Sequence, residues 1–143
     1  MKIESGHIKE WLNAGRFMVV SANVAALLVA RLESLRWSPS GTGLDWVSVN
    51  NTEANFEKLK NDEILDWIQT TAFKDDTHLI FLFDPGEPCI ACDLQSGILM
   101  VDQVFWKAPG RRFIFGAKLD GTLQPEFNHI AEYNGSNLLV AMA

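Results

Sequence analysis

Cysteine is scarce in this sequence, and its only two copies lie close together. Cys89 and Cys92 stand three positions apart in the segment EPCIAC, so a disulfide between them would not staple distant parts of a domain. Thiol oxidoreductases and zinc sites use the same spacing, but strand residues three apart point to opposite faces of a sheet. No helix is predicted after Cys92 to lower the pKa of a thiol. We therefore expect both cysteines to be structural, with neither redox activity nor a bound metal.

Positive charge is also in short supply. The chain has 12 Lys and Arg residues against 18 Asp and Glu residues, which gives a net charge of -6. The average surface potential of such a protein repels phosphate backbones and anionic lipid head groups. The composition thus argues against a nucleic acid or a membrane as the partner, and a partner steered by charge should be cationic.

A long hydrophobic run is missing as well. The most apolar segment, residues 17–30, contains Ser21 and Asn23 and is shorter than the roughly 20 apolar residues that cross a bilayer. Before it, Glu4 and Glu10 accompany Lys2, Lys9 and Arg16, unlike the basic leader of a signal peptide. We expect a cytoplasmic protein.

Catalytic and cofactor motifs are lacking. The sequence has no nucleophile flanked by glycines, no phosphate-binding loop and no histidine pair at metal-binding spacing. His78 and His129 border apolar strand segments, where we expect backbone groups to satisfy their rings. Carboxylates could supply an acid–base pair, but no spacing indicates which two would meet. These absences predict a protein that is not an enzyme and that holds no cofactor and no metal.

What the chain has in quantity is apolar material. Hydrophobic residues make up 48% of the 143 positions, with five Trp and nine Phe. That is enough to bury a core against the entropy cost of ordering the chain. We expect a single domain over residues 1–143.

The first half of the chain has mostly helical periodicity, interrupted by two β-prone segments. We predict, in chain order, a helix over residues 6–14, a strand over 16–20, a helix beginning at Ser21 or Asn23, a strand over 44–49, and two short helices or one bent helix over 52–71.

From His78 onward, closely spaced strands alternate with turn residues. The links contain Pro-Gly, Ser-Gly, Asp-Gly and Asn-Gly pairs, and links this short permit only antiparallel neighbours. The predicted fold is therefore α+β, with N-terminal helices packed on one face of a mostly antiparallel sheet whose C-terminal strands form a meander. The predicted strands include HLIFLFD, EPCIAC, ILMVDQVFW and RRFIFGAKL.

Acidic residues form two clusters, one along the helical region 52–71 and one at both ends of the segment HLIFLF. A solvated face is the ordinary role of such clusters. The alternative is a docking site for a basic partner, with Trp37, Trp67 and Trp106 as candidate anchors. On this hypothesis we predict seven partner-binding residues: Asp62, Glu63, Asp66, Asp75, Asp76, Asp84 and Glu87.

A small, acidic, Trp-rich α+β domain without a catalytic signature resembles the immunity proteins of bacterial polymorphic-toxin and contact-dependent growth inhibition systems. The resemblance covers size, charge and absence of chemistry, so it transfers no residue roles. It implies a stoichiometric inhibitor, monomeric or homodimeric, that binds one cationic toxin domain, often a nuclease, with acidic clusters that mimic phosphate. Three alternatives stay open: a chaperone of a secreted effector, a small hydrolase or transferase that uses carboxylate, His78 or His129 chemistry, and a phage or host structural domain with no activity of its own.

Overall fold

A seven-stranded sheet forms the centre of the protein. The computed structural model describes residues 17–35, 37, 39, 43–46, 50–83, 89–105 and 112–141. The strand order is β1-β4-β3-β5-β6-β7-β2, and every neighbouring pair is antiparallel. The strands are β1 (Met18–Val19), β2 (Asn51–Asn55), β3 (His78–Leu82), β4 (Ile90–Asp93), β5 (Phe113–Asp120), β6 (Thr122–Tyr133) and β7 (Asn137–Ala141).

Four short or medium α-helices and one 3₁₀ helix accompany the sheet in the described residues. None of these helices combines the length and the apolar character that a membrane span needs. They are α1 (Ala22–Glu33), α2 (Asn61–Ile68), the 3₁₀ helix (Ala72–Asp75), α3 (Leu94–Leu99) and α4 (Val101–Val104).

Side-chain caps explain where two of the helices begin. The hydroxyl of Ser21 accepts a hydrogen bond from the backbone N–H of Val24 at the start of α1. The carboxylate of Asp93 accepts one from the N–H of Ser96 at the start of α3. Each cap satisfies a backbone donor that has no partner within its own helix.

Helices cover both faces of the sheet. On one face α1 buries Leu28 and Leu32 against strand residues such as Phe115. On the other face α2, the 3₁₀ helix, α3 and α4 pack together over residues such as Leu79 and Phe81. The predicted α+β class is confirmed, whereas the helices do not all lie on one face. The reason is that the central strands β3 and β5 are apolar on both sides, and both sides must be removed from water.

The C-terminal meander is confirmed. Strands β5, β6 and β7 follow one another in the sheet, joined by tight turns at the predicted Asp-Gly and Asn-Gly pairs. Gly121 has φ 73° and Gly135 has φ 101°, a backbone region that glycine enters without a Cβ penalty.

Two element predictions are wrong. Residues 51–55 form β2, where helix was predicted, because all five residues pair with β7 at the end of the sheet. The segment ILMVDQVFW was predicted as a strand, but its described part lies in α3 and α4. The buried residues Leu94, Ile98, Val101 and Phe105 follow helical spacing, and helices on this face are needed to cover β3.

A bulge interrupts the pairing of the two longest strands. Phe115 of β5 pairs with Ile130 of β6, but the next residue, Gly116, pairs with Glu126. Residues 127–129 are therefore inserted into β6 relative to β5. Such insertions bend a strand and redirect its side chains, and this one determines the position of His129.

Three predictions fall outside the described residues: the helix over 6–14, the end of the strand over 44–49, and the turn at residues 84–86. Leu44, at the start of the segment 44–49, forms an isolated antiparallel bridge with Trp37.

Candidate functional site

The seven acidic residues predicted to bind a partner do not share one environment. Asp62, Glu63 and Asp66 are exposed on α2, and Asp75 is exposed at the end of the 3₁₀ helix. Of the three on α2, only Glu63 and Asp66 line the groove described next, so Asp62 lies outside the candidate site. Asp76 is buried, so the structure removes it from the predicted surface. Asp84 and Glu87 lie outside the described residues.

A groove with a volume of about 550 Å³ lies between β2 and α2. We call it the acidic groove. Its apolar lining comes from Ala54, Leu59 and Trp67. Its charged lining residues are Glu53, Glu63, Asp66 and Lys58. The side chain of Glu53, between Thr52 and Ala54 on β2, points to the opposite face of the sheet, so the carboxylates of Glu63 and Asp66 face the ammonium group of Lys58 around an apolar floor.

The pairing of β2 with β7 explains why the groove has an apolar floor. Thr52 and Ala54 pair with Val140 and Leu138, which belong to the core on the face covered by α2. Since paired residues of adjacent strands share a face, Thr52 and Ala54 point toward the helix. The edge strand and α2 therefore form the two sides of the groove.

Trp67 is held in place on the helical side of the groove. Its indole N–H donates to the hydroxyl of Thr52 at 3.2 Å. Its ring meets Phe56 edge-on, with ring centroids 6.0 Å apart and an interplanar angle of 87°. Of the other candidate anchors, Trp37 packs against Phe113 in the core on the α1 face, and Trp106 lies outside the described residues.

The carboxylates of the groove differ in whether they already accept a hydrogen bond within the protein. One oxygen of Glu63 accepts the backbone N–H of Lys60 at 3.0 Å, which caps α2. Within the described residues, the side chain of Asp66 forms no hydrogen bond and no ion pair with another side chain. This group is therefore available to a ligand without breaking an internal contact.

Asp76, unlike the exposed carboxylates of the acidic groove, is buried. Its side chain has 0% exposure, and one carboxylate oxygen is 2.8 Å from Nδ1 of His129, whose side chain is 22% exposed. The other oxygen, Oδ1, is buried without a hydrogen-bond partner among the described residues. Burial raises the pKa of the Asp76 carboxyl, and the hydrogen bond from His129 only partly opposes this effect.

The sheet makes room for this carboxylate at a glycine. A Cβ on Gly116 would overlap the carboxylate of Asp76 and press on the ring of Phe73. The bulge beside Gly116 brings His129 to the same point from β6. A buried carboxylate paired with an imidazole is a known arrangement for orienting a general base. Sequence spacing could not reveal this pair, because its members lie 53 residues apart.

His78 also departs from expectation. Its ring nitrogen Nδ1 lies 2.9 Å from the hydroxyl of Thr77, and that hydroxyl also accepts the backbone N–H of Leu119. Neither His78 nor His129 is satisfied by backbone groups in the way the sequence suggested, since both rings contact neighbouring side chains.

A second groove, of about 390 Å³, runs along the other side of α2. Its lining includes Lys74 and Asp93 together with the amides of Gln69 and Gln95. Asp76, whose side chain is fully buried, also belongs to the lining, so Lys74 meets two carboxylates, of which that of Asp93 already caps α3. This groove shares no lining residue with the acidic groove and does not extend it.

The two cysteines are buried free thiols, with Cys89 in the core on the α1 face and Cys92 in the core on the opposite face. Burial raises the pKa of Cys89 to about 11 and that of Cys92 to about 12. A helix does follow Cys92, contrary to the prediction, but burial outweighs any effect of a helix this short on the thiol. In the described part of the chain no three His, Cys, Asp or Glu residues are grouped to hold a metal ion.

No protein-family model matches this chain, and no curated protein matches it either.

Proposed function

We propose that this protein is a cytoplasmic immunity protein that neutralises a basic toxin domain, such as that of a nuclease, by binding it through the acidic groove. The observation that carries the proposal is the carboxylate of Asp66 beside the fixed ring of Trp67. The proposal treats the chain as a binding protein rather than an enzyme.

Two physical effects support this function. The net charge of -6 steers a cationic domain toward the protein and raises the association rate. Affinity then depends on a few anchors in a desolvated pocket, and tryptophan is among the most frequent anchors. The acidic groove combines both elements in one place. Carboxylates there would occupy the positions that phosphates take in the active site of a nuclease.

A charge-neutralised variant tests the proposal. Glu53→Gln, Glu63→Gln and Asp66→Asn together remove three charges, and a glutamine at position 63 can still accept the backbone N–H that caps α2. We expect the wild type to retain a basic protein from lysate of the native host at low salt, and the triple variant to lose it. Co-expression of the retained protein should stop growth unless the wild type is present.

The matched control removes the same charge elsewhere, through Glu33→Gln, Asp62→Asn and Asp120→Asn at exposed positions outside the groove. This control should retain the partner and protect the cell. Equal loss in both variants would mean that overall charge, and not the groove, governs binding, and retention by both would contradict the proposal.

A second candidate function rests on Asp76 and His129. A carboxylate on Nδ1 fixes the imidazole so that Nε2 can accept a proton, as a general base does in hydrolysis. The test is turnover of a panel of p-nitrophenyl esters and phosphoesters by the purified protein. Activity that the His129→Gln variant lacks would favour the enzyme, and equal activity in both proteins would remove its support.

A further inference from the structure

The acidic groove has the shape and the chemistry to receive one particular kind of side chain. Its volume of about 550 Å³ falls within the range of about 300–1,000 Å³ that is usual for ligand pockets. An apolar floor with charges at the rim suits a side chain with an apolar stem and a charged head. Lysine and arginine have that construction, and the rim carboxylates select a cation.

The fixed indole distinguishes between these two. A guanidinium group is planar, packs on aromatic rings and donates to two carboxylates at once, whereas an ammonium group is a strongly hydrated point charge. Trp67 is already oriented by Thr52 and Phe56, so a ligand that packs on it loses little free energy to the ordering of this side chain. The side chain of Asp66 has no hydrogen-bond or ion-pair partner to release among the described residues.

We infer that the acidic groove is a receptor for an arginine side chain of the partner, with its stem against Leu59 and Trp67 and its guanidinium group beside Asp66 and Glu63. The inference rests on the proposed function and names the group of the partner that the groove recognises. Charge complementarity supports this occupant, since the ammonium group of Lys58 faces the two carboxylates of Asp66 and Glu63.

Nuclear magnetic resonance can test the inference with small probes. The indole N–H resonance of Trp67 is assigned by its absence in the Trp67→Phe variant. The uniformly ¹⁵N-labelled protein is then titrated with acetyl-Gly-Arg-Gly-amide, with the lysine analogue, and with the citrulline analogue, which keeps the shape of arginine without its charge. We expect a saturable, salt-sensitive shift of the Trp67 resonance with arginine, a weaker response to lysine, and none to citrulline.

Two single variants on α2, one inside the groove and one outside it, provide a matched comparison. Asp66→Asn should weaken binding of the arginine probe by about tenfold, since it removes a charge-assisted hydrogen bond. Asp62→Asn removes the same charge from an exposed position on α2 outside the groove lining and should leave the affinity nearly unchanged. Amide spectra of both variants report whether the fold is retained.

The inference is overturned if citrulline shifts Trp67 as arginine does, if the two variants weaken the probe equally, or if no probe gives a saturable change. Failure here is separable from failure of the proposed function. If the groove variant still loses the protein partner while no probe binds, the proposed function stands and the arginine receptor falls. If the arginine probe binds while no basic partner depends on the groove, the receptor stands and the toxin-binding role falls.

Discussion

Asp66 and Asp76 were both predicted to bind a partner, yet the fold gives them opposite surroundings. Asp66 is exposed beside the acidic groove and its side chain has no partner among the described residues, while Asp76 is buried and pairs with His129. An exposed carboxylate keeps its hydration and contributes to the field that a partner meets. A buried one loses its hydration, so its free energy depends on the few groups around it.

The comparison separates two roles of acidic residues, partner binding and support of the fold, which the net charge does not distinguish. Carboxylates of the acidic groove can be neutralised with little effect on the fold, and their removal should appear in binding. Asp76 cannot be neutralised, freed of its partner or crowded without changing the free energy of unfolding. The predictions below test this separation.

Removing the partner of the buried carboxylate should have the largest effect. His129→Leu leaves Asp76 without its hydrogen bond, and we expect the free energy of unfolding to fall by about 3 kcal/mol at neutral pH. The loss should shrink in acid, because a carboxyl group with a raised pKa becomes neutral there and no longer carries a buried charge. Urea denaturation at neutral pH and at about pH 4 measures both values.

The control for this prediction is His78→Leu. His78 bonds a hydroxyl at the surface, so its loss should cost less than about 1 kcal/mol. Equal losses of unfolding free energy in the two variants would show that the pair of Asp76 and His129 stabilises the fold no more than the surface contact of His78.

Crowding the buried carboxylate should have the next largest effect. Gly116→Ala places a methyl group against the carboxylate of Asp76 and the ring of Phe73, and we expect a loss of about 2 kcal/mol in the free energy of unfolding. Gly121→Ala is the comparison, because φ 73° strains the new residue while nothing lies near its Cβ. That change should cost about 1 kcal/mol. A smaller loss at Gly116 than at Gly121 would contradict the close packing.

Periodicity and turn residues predicted much of the fold, and tertiary pairing accounts for the errors. The helix predicted within residues 52–71 was correct at α2, where Ile64 and Ile68 are buried, because a helix that packs on a sheet must repeat its apolar residues every three or four positions. Residues 51–55 carry no such signal. Their strand conformation depends on the free edge of β7, which no local pattern encodes. For α3 and α4 the helical spacing was present, but β-branched residues and a Ser-Gly pair suggested strands.

The candidate site could be predicted only in part. Charge patterning indicated Glu63 and Asp66, and the aromatic content indicated Trp67. Burial of Asp76 followed from Gly116 and from the bulge that positions His129, both far away in sequence. Asp75 and Asp76 are neighbours with the same side chain, so no composition rule could place one outside and the other inside.

The pH dependence of the free energy of unfolding tests whether ionisation of the buried Asp76 destabilises the fold. Burial raises its pKa above the ordinary value of 3.8, so the stability linked to this group is fully present below that value and is lost as pH rises through the raised one. Asp76→Asn can still accept the hydrogen bond from His129 but does not titrate. From about pH 4 to about pH 7 the wild type should therefore lose stability relative to this variant. If the wild type instead gained stability over that range, attraction to His129 would outweigh burial.

The smallest effect on stability should come from the exposed carboxylate. Asp66→Asn changes a side chain that has no internal partner, so we expect the free energy of unfolding to move by less than about 0.5 kcal/mol. Asp62→Asn should behave in the same way, and urea denaturation of both variants measures the difference. Because both proteins would be equally folded, any partner binding lost by Asp66→Asn and kept by Asp62→Asn would report on the groove itself. A large loss of stability in Asp66→Asn would remove the contrast with Asp76, since both residues would then support the fold.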